Sequence, residues 1–285
     1  MTIVYTIIAL LAGLLIGSFL NVCVFRMPRD LLVVAPRSFC PECEHAIAWY
    51  DNIPLLSYAL LRGRCRHCGK GIPIRYPLVE LATGVAFAAS VAYLSGAPAE
   101  RLCHVVNGAD FSLCTSLLPW KYCLYSAILI ALIASDFETQ ILPDEFTLGG
   151  TVLGIVFAAF APVDSAFLSL LLPPSWNPRA IWLAESVFAA AFASGTIWFV
   201  GWAYEKIRHR EGMGFGDVKM IAMIGAFVGL RWVLVTLILG SLLGSIVGVI
   251  YAKFTKKEIA TTELPFGSFL GIAALAAAAM SAVAQ

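Results

Sequence analysis

Apolar runs of bilayer length recur along this chain, and they restrict its possible folds more than any other feature. A helix needs about 20 predominantly apolar residues to cross the hydrocarbon, with a range of roughly 17–25. About eight runs approach that length: 3–25, 77–95, 120–135, 146–163, 180–203, 217–231, 232–252 and 265–283. The chain is 60% hydrophobic and 13% charged, whereas soluble domains carry roughly 25% charged residues. The expected fold class is therefore an all-α polytopic membrane protein with about eight transmembrane helices. The third and sixth runs are short. Each adjoins an acidic stretch, so its helix is expected to continue into that stretch. Arg231 is the only visible break between the sixth and seventh runs. The first run lacks a basic start, and Asn21-Val22-Cys23 is a poor cleavage site. It is read as a retained helix rather than a signal peptide.

Charge along the chain orients these helices. Loops 26–76, 136–145, 204–216 (with Lys219) and 253–264 alternate to one side and hold 15 Lys/Arg. The other side holds four: Arg101, Lys121, Arg179 and Arg231. The basic side is expected to face the cytoplasm, with both chain ends outward. Of the outer loops, 96–119 contains Cys103 and Cys114, which could pair in an oxidising compartment, and 164–179 is proline-rich and expected to be an irregular cap. The alanine-rich tail 273–284 suits close helix packing. A net charge of +1 is silent about nucleic acid, and no nucleic-acid partner is expected.

Residues 26–76 are the one sizeable soluble piece. They contain Cys40-Pro41-Glu42-Cys43 and Cys65-Arg66-His67-Cys68. Two such turns can bring four thiolates to tetrahedral geometry around zinc. Zinc would also let a segment with little apolar core fold. A closed four-thiolate site is structural, so no catalytic role is expected for the metal. Free or redox-active thiols remain the alternative. His45 and His67 are expected to be spare surface histidines.

Two acidic stretches carry the candidate chemistry. Ser135-Asp136-Phe137-Glu138 ends the third run, and Gly214-Phe215-Gly216-Asp217-Val218-Lys219 opens the sixth. A carboxylate at a membrane edge loses part of its water shell, which is costly. Two such groups within hydrogen-bond reach share one proton. The ionised member can deprotonate a water, and the neutral member can protonate a peptide carbonyl and then the leaving amine. Asp136 and Asp217 are therefore the candidate catalytic pair. Plain readings stand beside this: Asp136 as a helix-end charge and Asp217 as an N-cap. Glu138, Asp144 and Glu145 compete for the role of second acid. Lys219 is a candidate charge for tuning Asp217.

At this point the chain resembles the bacterial type IV prepilin peptidases, bifunctional leader peptidases and N-methyltransferases. The resemblance rests on Gly17-Ser18-Phe19-Leu20-Asn21-Val22, Arg26-Met27-Pro28, both cysteine pairs, Asn52-Ile53-Pro54-Leu55 with Ser57-Tyr58, and Leu61-Arg62-Gly63. It continues through Arg75-Tyr76-Pro77-Leu78-Val79-Glu80, Asp136-x-Glu138 with Leu142-Pro143-Asp144, and Gly214-Phe215-Gly216-Asp217-Val218-Lys219. The resemblance implies that Asp136 and Asp217 cut a basic leader from a prepilin or pseudopilin between glycine and phenylalanine. It further implies methylation of the new N-terminus from S-adenosylmethionine. The scissile bond of such a substrate sits at the cytoplasmic boundary, where loop charge places both aspartates. Acidic neighbours Glu138, Asp144, Glu145 and Glu211 could attract the leader. One departure is visible. Pro265-Phe266-Gly267-Ser268 stands where the family pattern is Pro-Phe-Gly-Pro. The lost proline is expected to loosen that turn without touching the catalytic assignment.

The methyl-donor site has no glycine-rich nucleotide loop to mark it. Asn21, Arg26, Asn52, Arg75 and Glu80 are its candidates: Arg75 or Arg26 for the donor's carboxylate, and Glu80 for the substrate amine. A helix-end anchor or a loop hydrogen bond is the alternative for each. The expected organisation is a first transmembrane helix (1–25), a zinc-binding loop linked to methyl transfer (26–76), a second helix with an outer loop (77–121), and a membrane aspartic peptidase domain (122–285). The expected location is the bacterial inner membrane, with the active site facing the cytoplasm. Rival readings are a protease cutting within an apolar span, a scaffold whose zinc knuckle recruits a partner and, more weakly, a transporter.

Overall fold

A computed structural model describes residues 2–35, 37–95, 97–103, 109–173, 175–208, 214–255 and 265–284. Among these residues the secondary structure is helical, with two isolated antiparallel bridges, Phe39 with Ala46 and Arg64 with Gly71. The helices are α1 (Thr2–Arg26), α2 (Leu56–Leu60), α3 (Arg75–Leu94), α4 (Ala97–Cys103), α5 (Ala109–Thr139), α6 (Asp144–Ala158), α7 (Leu168–Leu171), α8 (Pro178–Arg208), α9 (Phe215–Val228), α10 (Leu230–Thr255) and α11 (Phe266–Ala284). Each of the eight apolar runs coincides with one of α1, α3, α5, α6, α8, α9, α10 and α11. Five helices, α1, α3, α5, α8 and α10, are long and apolar enough to cross a membrane.

Helix α5 is the axis of the molecule. Its spanning stretch is 72% buried inside the protein, against 22–39% for the other four. The reason is visible in its sequence, which is apolar all round. Tyr125, Ile128, Leu129 and Leu132 pack into a core with Met220, Met223, Ile224 and Phe227 of α9 and Leu270 and Ala274 of α11. Cys123, Ala127, Ile130, Ala131 and Ala134 pack oppositely, against Leu20 and Val24 of α1 and Val79 and Phe87 of α3. The other spanning helices turn apolar residues outward, as α10 does with Leu234, Ile238, Leu242, Ile246 and Val249. That stripe is the face a lipid chain would cover. Helices α1 and α3 approach closely because Gly13 and Gly17 have no side chain to collide with Thr83, Gly84 and Glu80.

Several boundaries differ from expectation. The outer loop 96–119 is largely helical. A disulfide between Cys103 and Cys114 ties α4 to the first turns of α5, and buries both sulfurs with Ala158, Val163 and Trp182. Lys121 is no loop residue. It is buried within α5, where its ammonium donates to the Pro162 carbonyl at 2.6 Å. The break between α9 and α10 falls at Gly229 rather than Arg231, because φ of 86° there is a left-handed conformation that favours glycine. Buried Glu185 accepts the N–H groups of Leu168 and Leu230, both at 3.1 Å, and so satisfies the starts of α7 and α10. Asp164 accepts the Trp232 indole N–H at 2.7 Å.

Candidate active site

The last turn of α5 carries Asp136, and the first turn of α9 carries Asp217. Helix α5 runs through Asp136 to Thr139, as its short apolar run led one to expect. Gly214, not Asp217, occupies the N-cap of α9. Asp217 instead sits at the third helical position, where the N-terminal dipole favours a negative charge. The two carboxylates meet over Gly267 in the first turn of α11. A Cβ built on Gly267 would lie 3.2 Å from Asp136 Oδ2 and 3.2 Å from Asp217 Oδ1. Those two oxygens are therefore within twice that distance of each other. Asp136 is buried at 5% exposure, and Asp217 is half-buried.

The competing acids are engaged elsewhere. Glu138 forms ion pairs with Arg75 and, at 3.6 Å, with Arg29. Asp144 accepts a hydrogen bond from Lys219 Nζ at 2.6 Å. That corrects the reading of Lys219 as the charge that tunes Asp217. Glu145 is exposed. Pro143 caps α6, so Asp144 and Glu145 open a new helix rather than extend α5. Glu211 lies outside the described residues. The sequence reading missed Ser268. Its backbone N–H donates to Asp136 Oδ2 at 2.6 Å, and its hydroxyl lies 2.7 Å from the same oxygen. The departure at Pro265-Phe266-Gly267-Ser268 thus lies against the candidate pair. Its presence beside Gly267 was the signal, but no spacing rule links 136 to 268.

The two cysteine knuckles share one backbone design. Glu44 N–H bonds back to the Cys40 carbonyl at 2.8 Å, and Gly69 N–H to that of Cys65 at 3.0 Å. Glu44 (φ 53°) and Gly69 (φ 70°) turn the chain through the left-handed region. The sulfurs of Cys40, Cys43, Cys65 and Cys68 lie within 4.8 Å of one another, with Cys40 and Cys68 3.9 Å apart. Tetrahedral zinc with Zn–S of about 2.3 Å places its sulfurs about 3.8 Å apart, so the donor set fits that metal. Backbone N–H groups of Cys68 and His67 hold the Cys65 thiol down to about 7, which favours the thiolate that a metal needs. His45 and His67 pack against each other, tilted by 35° with 3.5 Å between ring centres, rather than joining the sulfur cluster. Arg66 clamps Asp51 through two hydrogen bonds of 2.8 and 2.6 Å and keeps its carboxyl below the usual range.

Between the knuckles and helices α1, α3 and α5 lies a cavity of about 1040 Å³. Asn21, Arg26, Asn52, Arg75 and Glu80 all line it, together with Glu138. Their present partners differ. Arg26 donates to the carbonyls of Leu32, Val33 and Arg37, so it anchors the loop. Arg75 is held by Glu138 and lies over the Tyr76 ring. Glu80 Oε2 accepts the Leu55 N–H at 2.8 Å. That bond holds Leu55 at a positive φ of 58°. Asn52 is exposed. The amide nitrogen of Asn21 donates to the Tyr76 carbonyl, while its buried Oδ1 accepts no hydrogen bond from the described residues. A buried acceptor without a donor is costly, and the amino groups of S-adenosylmethionine would satisfy it. The volume is also ample for a ligand of that size.

A protein of Myxococcus xanthus described as "Prepilin leader peptidase/N-methyltransferase" is 35% identical over 264 residues, covering 91% of this chain and 67% of the relative. One of Pseudomonas aeruginosa with the same description is 34% identical, covering 94% of this chain and 88% of the relative. Residues 123–249 match the Type IV leader peptidase family. The chain belongs to that family. Residues 11–94 match the Bacterial Peptidase A24 N-terminal domain. Within the family's peptidase segment lie Asp136 and Asp217, and within the N-terminal domain lie the four clustered cysteines and all five cavity candidates. Gly267 and Ser268 fall beyond both matched segments. No solved structure matches the chain.

Proposed function

We propose that this enzyme removes the basic leader of type IV prepilins or pseudopilins at the cytoplasmic face of the bacterial inner membrane. It then methylates the new N-terminus. The observation that carries the peptidase reading is the meeting of Asp136 and Asp217 across Gly267, from helices remote in sequence. One carboxylate takes a proton from water as the water oxygen attacks the scissile carbonyl carbon. The other donates its proton to the carbonyl oxygen. The C–N bond then breaks as the first aspartate passes its proton to the amine. Water has been added across the peptide bond, and the pair returns to its starting charge.

Several features support this orientation. Glu138 ties the dyad end of α5 to Arg29 and Arg75, and so to the basic cysteine loop. The disulfide partner Cys114 lies toward the other end of α5. From there to Asp136 the helix rises about 33 Å at 1.5 Å per residue, close to the hydrocarbon thickness of about 30 Å. A disulfide at one end suits an oxidising compartment, and a cluster of reduced thiols at the other suits the cytoplasm. On this topology all eight apolar helices cross the bilayer. Zinc would be held by Cys40, Cys43, Cys65 and Cys68 and would fix the loop that walls the cavity. S-adenosylmethionine, when bound, supplies an electrophilic methyl group. Asn21 Oδ1 would accept from one of its amino groups. Glu80 lines the same cavity, and its second carboxylate oxygen would orient the incoming substrate amine.

The test is prepilin cleavage in detergent by wild type, Asp136→Asn and Asp217→Asn, with mass spectrometry reading leader loss and methyl addition. Loss of cleavage in each folded variant, with methylation of pre-cleaved pilin retained, is expected. Full cleavage by both variants would sink the dyad.

A further inference from the structure

We infer that Ser268 is a positioning residue that makes Asp136 the proton acceptor of the pair and leaves the shared proton on Asp217. This rests on the dyad reading above and deepens it by assigning the roles.

The two carboxylates differ in their surroundings. Asp136 Oδ2 lies 2.6 Å from the Ser268 backbone nitrogen and 2.7 Å from its hydroxyl oxygen. A backbone N–H can only donate. An N–H···O contact that short is characteristic of an ionised acceptor. The hydroxyl also lies 3.2 Å from the Ile133 carbonyl, and its single proton can serve one acceptor at a time. The shorter contact to a carboxylate is the stronger of the two. With both donors aimed at Oδ2, that oxygen is held as an acceptor and its lone pairs are oriented. The charge on Asp136 then favours keeping the proton on Asp217, because two adjacent carboxylates cannot both ionise cheaply. Asp217 has no donor of this kind among the described residues.

Among the described residues, no other side chain is hydrogen-bonded or ion-paired to Asp136. From α1 and the turn after it come Cys23, Arg26 and Arg29, and from α3 Arg75 and Glu80. Arg26 is spent on loop carbonyls, Arg29 and Arg75 on Glu138, and Glu80 on Leu55. Asp144 and Glu145 belong to α6. Asp144 is paired with Lys219 of α9, and Glu145 is exposed. Helix α11 contains no ionisable side chain.

In the resulting step, a water proton moves to Asp136 as the water oxygen bonds to the carbonyl carbon. The Asp217 proton moves to the carbonyl oxygen. When the C–N bond breaks, Asp136 gives its proton to the amine, and the re-forming carbonyl returns the other proton to Asp217.

The test is the pH dependence of prepilin cleavage for wild type and for Ser268→Thr, Ser268→Ala and Ser268→Pro. Removing donors makes Asp136 harder to ionise, so the acid limb of kcat/KM should move to higher pH. One hydrogen bond to a charge corresponds to a shift of about one pH unit for Ser268→Ala. Ser268→Pro, which loses the N–H as well, should move further. Proline is tolerated in the first turn of a helix, but Ser268→Ala alone decides the matter if the proline variant fails to fold. Ser268→Thr keeps the hydroxyl and should restore the wild-type profile. A uniform loss of rate in Ser268→Ala with an unmoved acid limb would overturn the assignment while leaving the dyad standing. Cleavage by the Asp136→Asn and Asp217→Asn variants would instead overturn the dyad itself.

Discussion

At the scale of single residues, Gly267 stands beside both candidate aspartates. Its missing side chain leaves room beside both carboxylates. A Cβ there would stand 3.1 Å from Asp136 Cγ and 3.2 Å from Asp217 Oδ1. Both are tight contacts that push the groups apart. Gly267→Ala should therefore fold, because alanine suits a helix, yet lose cleavage by about 100-fold, the scale expected when reacting groups are displaced by about 1 Å. Initial rates of leader removal, alongside a thermal unfolding curve, check this. Unchanged rates would mean that the acids do not close over Gly267 during the reaction.

At the scale of elements, the cysteine knuckles and the cavity depend on one another. The loop's own packing is sparse: Leu32, Val34, Trp49, Tyr50 and Leu60 all lie exposed. Two bridges, the Arg66–Asp51 pair and the Lys70–Glu42 pair at 3.2 Å cross-link it. Exposed pairs of this kind contribute little, so the sulfur cluster is the main clasp. Stripping zinc with a strong chelator should expose four reactive thiols in a colorimetric titration and depress methyl transfer. Cleavage should fall less, because the dyad is carried by α5, α9 and α11 rather than by the loop. Equal loss of both activities would show that the loop also holds the peptidase site.

At the scale of the molecule, α5 links everything. One face packs on α9 and α11 and delivers Asp136 to Asp217 and Ser268. The opposite face packs on α1 and α3 and lends Glu138 to the cavity wall. A newly freed N-terminus thus has a short path from the dyad to the cavity, both at one end of the bundle. Glu100 is exposed on α4, at the disulfide end. In intact cells, a membrane-impermeant maleimide should label Glu100→Cys from the periplasmic side and leave Glu42→Cys untouched. Labelling of Glu42→Cys alone would invert the proposed topology.

The helical class, the eight apolar segments, the cysteine set and both aspartates were legible along the chain. Each depends on local pattern: run length, C-x-x-C spacing, a charge at the edge of an apolar run. Legibility failed wherever a contact joined distant segments through a single group. Lys219 reads as a neighbour of Asp217 in sequence, but the helix turns it toward Asp144. Arg26 lines the cavity as a candidate ligand-binding cation, and its three bonds to loop carbonyls are visible only in the folded chain. Ser268 reads as a weakened turn, but its N–H and hydroxyl both meet Asp136, 132 positions away. Hydropathy and spacing report what each segment must bury. Which side chain then meets which depends on how helices pack around α5, and only the tertiary structure decides that.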